Sequence, residues 1–138
     1  MKQLSVFLEN REGRLEECLT ILKDEGINVI SLSLADTTDY GMLRLIVKDS
    51  EKSLKALKAC GFSASLSDVV AIKLPHTVGS LQGVLHTCAV NKINVEYMYA
   101  LCTKTDEAAI VIKPSATDEA VRVLSEAHYD FFEDGDMF

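Results

Sequence analysis

The sequence predicts an α+β protein made of two copies of one β-α-β-β-α-β unit, each an antiparallel sheet backed by two helices. Three observations predict it. Gly13 and Gly79, Leu15 and Leu81, Ile27 and Ile93, Asn28 and Asn94, and Val29 and Val95 all stand 66 positions apart. A constant offset of this kind marks an internal duplication. Within each copy the apolar period switches between 2 and 3.6 in the same order. Two copies of about 66 residues fill the chain with no Gly/Ser/Pro-rich linker, and their length puts the boundary near Ser67 and Asp68, giving units 1–67 and 68–138.

The first copy opens with QLSVFL, where Leu4, Val6 and Leu8 alternate as in a half-buried strand. From Gly13 the spacing of Leu15, Cys18, Leu19 and Leu22 is that of one helical face. Gly26 stops this helix, as a left-handed residue commonly does. VISLSLAD alternates again and predicts a strand; TTDYG predicts a turn and MLRLIVK another strand. Ser50 is placed to cap a helix that carries Leu54 and Leu57 and ends at Gly61. FSASL is read as a last short strand.

The second copy repeats this order. VVAIKL is a strand, and Leu81, Val84, Leu85 and Cys88 form a helical stripe. VEYMYAL and AAIVIK are strands, PSATDEAVRVLSEA is a helix with an S-x-x-D cap, and YDFFE is a final strand. Both copies have the split βαβ, or ferredoxin-like, arrangement. A unit of about 66 residues has a marginal core by itself, so the two are expected to pack together.

Composition narrows the function. The 48% hydrophobic and 25% charged content is that of a globular chain, and no apolar run approaches a membrane span. MKQLSVFLEN places an acid where a signal peptide would stay apolar, so a cytoplasmic protein is expected. Cys18, Cys60, Cys88 and Cys102 contain no C-x-x-C pair, and neither a disulfide framework nor a metal is expected. The net charge is −7, with −6 of it carried by residues 67–138, where five Lys/Arg face eleven Asp/Glu. Nucleic-acid binding needs a basic surface, so it is excluded.

The joins between first strand and first helix are the informative places: ENREGRL at 9–15 and HTVGSL at 76–81. There the topology presents backbone N–H groups and the positive end of a helix dipole, which suit a carboxylate. Asn10 adds an amide that both donates and accepts, as the two ends of an amino acid require. Gly13 and Gly79 either let a ligand approach closely or only permit a tight turn. Asn28 and Asn94 are either ligand contacts or left-handed residues closing the preceding helix. Tyr97 and Tyr99 alternate on one strand face, either packed there or lining a side-chain pocket.

ENREGRL followed by GINV (26–29) resembles the amino-acid-binding ACT domain, whose members carry E-N-R-P-G-x-L and then G-x-N-I. The resemblance covers both copies, so the chain is similar to a tandem ACT pair. It implies a regulatory protein in which an amino acid sits between paired domains, held by the turn of one and the Asn of the other. One site would use Asn10, Arg11, Glu12, Gly13 and Leu15 with Asn94. Its twin would use His76, Thr77, Val78, Gly79 and Leu81 with Asn28. The chain departs from the pattern at Glu12 and Val78, which replace the proline, at His76, which stands where Asn10 does, and at Lys92, which replaces the glycine of G-x-N-I. Leu8 stands where some members have a polar contact.

Parts that an enzyme would need are missing from the sequence: there is no P-loop, no G-x-G-x-x-G and no G-x-S-x-G. His76, His86 and His128 lack metal-site spacing, and the acidic tail DFFEDGDMF is not a calcium loop. A metal carrier of this topology would need C-x-x-C in the first turn. An acylphosphatase-like enzyme would need a Gly-rich cradle there, and Arg11 alone is thin support for one. An RNA-binding module would show aromatics on its central strands. The sequence therefore predicts a non-enzymatic, amino-acid-binding regulator without cofactor. It would act as a homodimer or through a metabolic enzyme partner. The alternative is an interaction subunit whose ligand site is vestigial.

Overall fold

The computed structural model describes every residue except 37, 38, 102, 104–106, 137 and 138. Cys102 and part of the TTDYG turn therefore lie outside the described residues. The chain divides into two compact units, Lys2–Ser67 and Asp68–Phe138 together with Met1.

In the first unit β1 (Lys2–Glu9), α1 (Arg14–Asp24), β2 (Val29–Asp36), β3 (Tyr40–Val47), α2 (Ser50–Ala59) and β4 (Ser63–Asp68) follow the predicted order. Its four strands lie in the order β2-β3-β1-β4. Antiparallel pairing puts Leu4 opposite Leu45 and Val6 opposite Leu43, so the apolar alternation of both strands falls on one face. That face meets Cys18 and Leu22 of α1 and Leu57 of α2 in one buried cluster. Each fully buried Leu there is worth about 1.5–3 kcal/mol of transfer free energy, which is what holds the helices on the sheet.

The second unit contains β5 (Val70–Leu74), α3 (Ser80–Val90), β6 (Val95–Leu101), β7 (Ala108–Pro114) and α4 (Thr117–Glu126). Its sheet has three strands, in the order β5-β7-β6. Val70, Ile72, Ile110 and Ile112 pack under Val84, Cys88 and Leu124. The registers reveal one added residue: Leu8 faces Gly41, whereas Leu74 faces Ala108, so the offset grows from 66 to 67 beyond β6.

Three predicted details differ. YDFFE does not form a full strand; it makes a single bridge, Phe131 with Ile72, flanked by Lys73 N–H to the Asp130 carbonyl (2.9 Å) and Phe132 N–H to the Ala71 carbonyl (2.9 Å). The chain then turns into a short 3-10 segment, Asp134–Asp136, where the Asp136 carboxylate accepts the Glu133 N–H at 3.0 Å. This local bond competes with continuation of the ladder. Helix α2 is capped by Asp49, which accepts from Lys52 N–H at 3.0 Å, and Ser50 is already its first residue. Helix α4 starts after Ala116 without a side-chain cap, because the Ser115 hydroxyl instead accepts the Asn94 N–H at 3.2 Å.

Candidate functional site

The two turns ahead of α1 and α3 share one backbone design. Gly13 (φ 77°) and Gly79 (φ 86°) occupy the left-handed region at the helix N-cap. A Cβ at either position would meet nothing within 4 Å, so glycine is required there by φ, not by space. Arg11 N–H bonds the Glu9 carbonyl (2.9 Å), Arg14 N–H the Arg11 carbonyl (3.4 Å), and Glu17 N–H the Gly13 carbonyl (2.9 Å). The second turn repeats these bonds 66 residues on, from Thr77 to Pro75 (2.8 Å), Ser80 to Thr77 (3.3 Å) and Gly83 to Gly79 (2.9 Å). Neither helix start carries a side-chain cap. The N–H groups of Leu15 and Glu16, and of Leu81 and Gln82, are thus left to another acceptor.

The side chains around the two turns differ in kind. In the first, Arg11 Nε lies 3.1 Å from a Glu9 carboxylate oxygen and its terminal nitrogen 3.7 Å from Glu17. The same Glu17 oxygen accepts from Arg14 at 2.8 Å. The Arg14 guanidinium stacks over the Phe62 ring, 3.9 Å from its centroid, with 18% of the side chain exposed. In the second turn the contacts are neutral. The Ser80 hydroxyl donates to the Pro75 carbonyl (2.8 Å) and accepts from Thr77 (2.7 Å). Asn10, Glu12 and His76 are exposed, and Val78 is fully so.

Along α1 two open clefts meet at Leu19 and Lys23. One, of about 600 Å³, is bordered by Arg11, Gly13, Leu15 and Glu16. The other, of about 420 Å³, is bordered by Gly26, Asn28, Val29 and Leu32. The fold thus brings Arg11, Gly13, Leu15 and Asn28 of the first unit to one side of one helix.

Neither Asn28 nor Asn94 takes the left-handed conformation. Gly26 (φ 69°) and Lys92 (φ 57°) hold it, two residues earlier in each copy. Both Asn residues enter their strands as part of the sheet margin: the Asn28 carbonyl accepts Lys48 N–H at 3.2 Å, and the Asn94 carbonyl accepts Ser115 N–H at 2.8 Å. The same bond recurs in both copies, since Ser115 is the residue equivalent to Lys48 at the 67-residue offset that holds beyond β6. Directly after each Asn the register shifts, between Val29 and Ser31 and between Val95 and Tyr97. Such bulges re-aim neighbouring side chains, and these two are duplicated with the turns. The adjacent apolar pair Val29–Ile30 interrupts the alternation of VISLSLAD at the first bulge, whereas VEYMYAL carries no such mark at Glu96. Tyr97 and Tyr99 pair with Lys113 and Val111, which puts them on the sheet face opposite the Ile110 and Ile112 packed under the helices.

Burial pushes the Cys18 thiol up to about 11, a little offset by the Arg14 charge, and raises Cys88 as well. Cys18, Cys60 and Cys88 are free thiols. Among the described residues no three His, Cys, Asp or Glu side chains cluster as metal ligands, and no helix is long and apolar enough to cross a membrane.

A family model described as an ACT domain pair matches residues 1–138. The crystal structure of protein BT0572 from Bacteroides thetaiotaomicron is similar over 98% of this chain and 93% of that one, with 41% identity and a TM-score of 0.90. The ligand-free regulatory subunit of aspartate kinase from Thermus thermophilus shares the fold at 17% identity, a TM-score of 0.65 and 91% coverage of both chains. The corresponding subunit from Thermus flavus does so at 20% identity, a TM-score of 0.64 and 92% coverage of both. No curated protein matches the chain. The duplicated glycine turns, the two βαββαβ units and the full-length match place this chain in the ACT domain pair family.

Proposed function

We propose that this ACT pair binds a free amino acid and passes its occupancy to amino-acid metabolism, through self-association as a homodimer or through an enzyme partner in the cytoplasm. The observation that carries the reading is the duplicated turn: a left-handed glycine, a fixed set of backbone bonds and a helix start with no side-chain cap. The ligand carboxylate would take the N–H groups of the first helical turn, where the dipole favours an anion. An Asn side chain would hold the ammonium end. Treating residues 1–67 and 68–138 as the two modules, one site comprises Asn10, Arg11, Glu12, Gly13 and Leu15 with Asn94. The other comprises His76, Thr77, Val78, Gly79 and Leu81 with Asn28. Binding shifts the population toward whichever arrangement of modules completes the site. The protein itself catalyses nothing in this reading.

A thermal-shift series with the twenty amino acids tests it. A ligand at 100 times its dissociation constant adds about 2.7 kcal/mol, several degrees for a protein of this size. The shift should appear with one amino acid or one related group, and Asn10→Ala and Asn94→Ala should each abolish it at the first site. One observation favours the second reading, an interaction subunit with a vestigial site: Arg11 already has two carboxylate partners of its own. Absence of any shift would replace the sensor with that subunit.

A further inference from the structure

The two turns share a backbone but are held by opposite chemistry. We infer that the first turn is charge-gated: Glu9 and Glu17 are built-in competitors for Arg11, which an incoming carboxylate must displace, whereas the second turn has no such competitor among the described residues. This inference deepens the proposed function and rests on that reading of the turns as carboxylate sites.

The contacts form one continuous chain. Phe62 supports the Arg14 guanidinium at 3.9 Å, Arg14 fixes Glu17 at 2.8 Å, and Glu17 and Glu9 reach Arg11 at 3.7 and 3.1 Å. A carboxylate held by a mostly buried, stacked arginine has lost little further freedom when it also faces Arg11. An exposed, isolated pair lacks that advantage. The equivalent positions in the second unit have exchanged together. Pro75 stands for Glu9, Thr77 for Arg11, Ser80 for Arg14, Gly83 for Glu17 and Tyr129 for Phe62. With Ser80 bonding Thr77 and the Pro75 carbonyl, that turn keeps its shape without any ionic side chain. Among the described residues an anion approaching it meets no ion-paired carboxylate to expel.

The test uses the full 15N-labelled chain with sodium acetate as the carboxylate probe, at constant ionic strength. Amide signals of Gly13 and Leu15 report the first turn, and those of Gly79 and Leu81 the second. The second turn should saturate at lower acetate. Glu17→Gln should lower the half-saturation of the first turn by about 2- to 5-fold and leave the second unchanged; that is the size of a single ion pair. Glu9→Gln, at an exposed strand end, should act in the same direction and guards against a folding effect of the helix substitution. Equal saturation of both turns in the wild type, or a first turn indifferent to both substitutions, overturns the gate while leaving the carboxylate reading intact. Acetate reaching neither turn removes that reading and the gate with it.

Discussion

The hydroxyl of Tyr129 lies 2.7 Å from where a Cβ on Gly83 would stand. The hydroxyl therefore occupies the room that a side chain on this turn of α3 would need. In the first unit the same two positions are Phe62 and Glu17, and there Arg14 covers the ring instead. The contact makes Gly83 a packing requirement inside a helix, where glycine otherwise costs about 1 kcal/mol relative to alanine.

Gly83→Ala alone should therefore fail to gain that amount, because the methyl group displaces Tyr129. Combined with Tyr129→Phe it should recover it. A double-mutant cycle read by urea denaturation is expected to show a coupling of about 1 kcal/mol between the sites. Additive effects would disprove the contact.

Lys92 (φ 57°) and His128 (φ 66°) take the left-handed conformation that Gly26 and Gly61 supply in the first unit. A residue with a Cβ there costs about 1–2 kcal/mol, against about 0.4–1 kcal/mol of extra unfolded-chain entropy for glycine. Lys92→Gly and His128→Gly should each stabilise by about 0.5–1 kcal/mol, seen as a rise in thermal midpoint. A fall in either would show that the replaced side chain makes a contact outweighing its backbone cost.

Gly13→Ala should destabilise by about 1–2 kcal/mol although nothing lies within 4 Å of the new methyl. Gly13→Asn, which tolerates the left-handed region, should lose less. If the alanine variant were as stable as the wild type, φ would not be what requires glycine.

Cys18 is fully buried, and its thiol titrates near 11 in the folded chain, above the ordinary value near 9. Above pH 9 the unfolded chain loses this proton first and binds fewer protons than the folded one, so stability falls as pH rises from about 9 to about 11. The loss attributable to Cys18 is of order 2–3 kcal/mol, and a Cys18→Ala variant should lack that slope when urea midpoints are compared across the range. Parallel slopes in the two proteins would contradict it.

Iodoacetamide at neutral pH should label exposed Cys60 well before Cys18 and Cys88, which are buried and disfavoured as thiolates. Peptide mass mapping over a time course reads the order directly. Labelling of Cys18 at a rate comparable to Cys60 would mean that the first core opens readily.

Much of this protein was determined by the sequence alone. The duplication, the order of elements in each copy and the glycine turns were legible in the chain because their causes are local. Alternation selects a strand face, a 3.6 period selects a helix face, and a left-handed φ selects glycine. These are properties of neighbouring residues, and Leu4, Val6, Leu22 and Gly79 display them without reference to anything distant. What only the tertiary structure decided involves partners remote in sequence or choices between equivalent ones. Asp49 outcompeted Ser50 as a cap, and Ser115 turned to Asn94 instead of its own helix. The last strand of the second unit shrank to one bridge, and both Asn residues fell beside bulges while Gly26 and Lys92 took the left-handed role. Phe62 came under Arg14 and Tyr129 over Gly83, giving two turns of the same backbone different chemistry. A hydrogen bond or a stacked ring needs a partner in space, and its position is known only once the chain has folded.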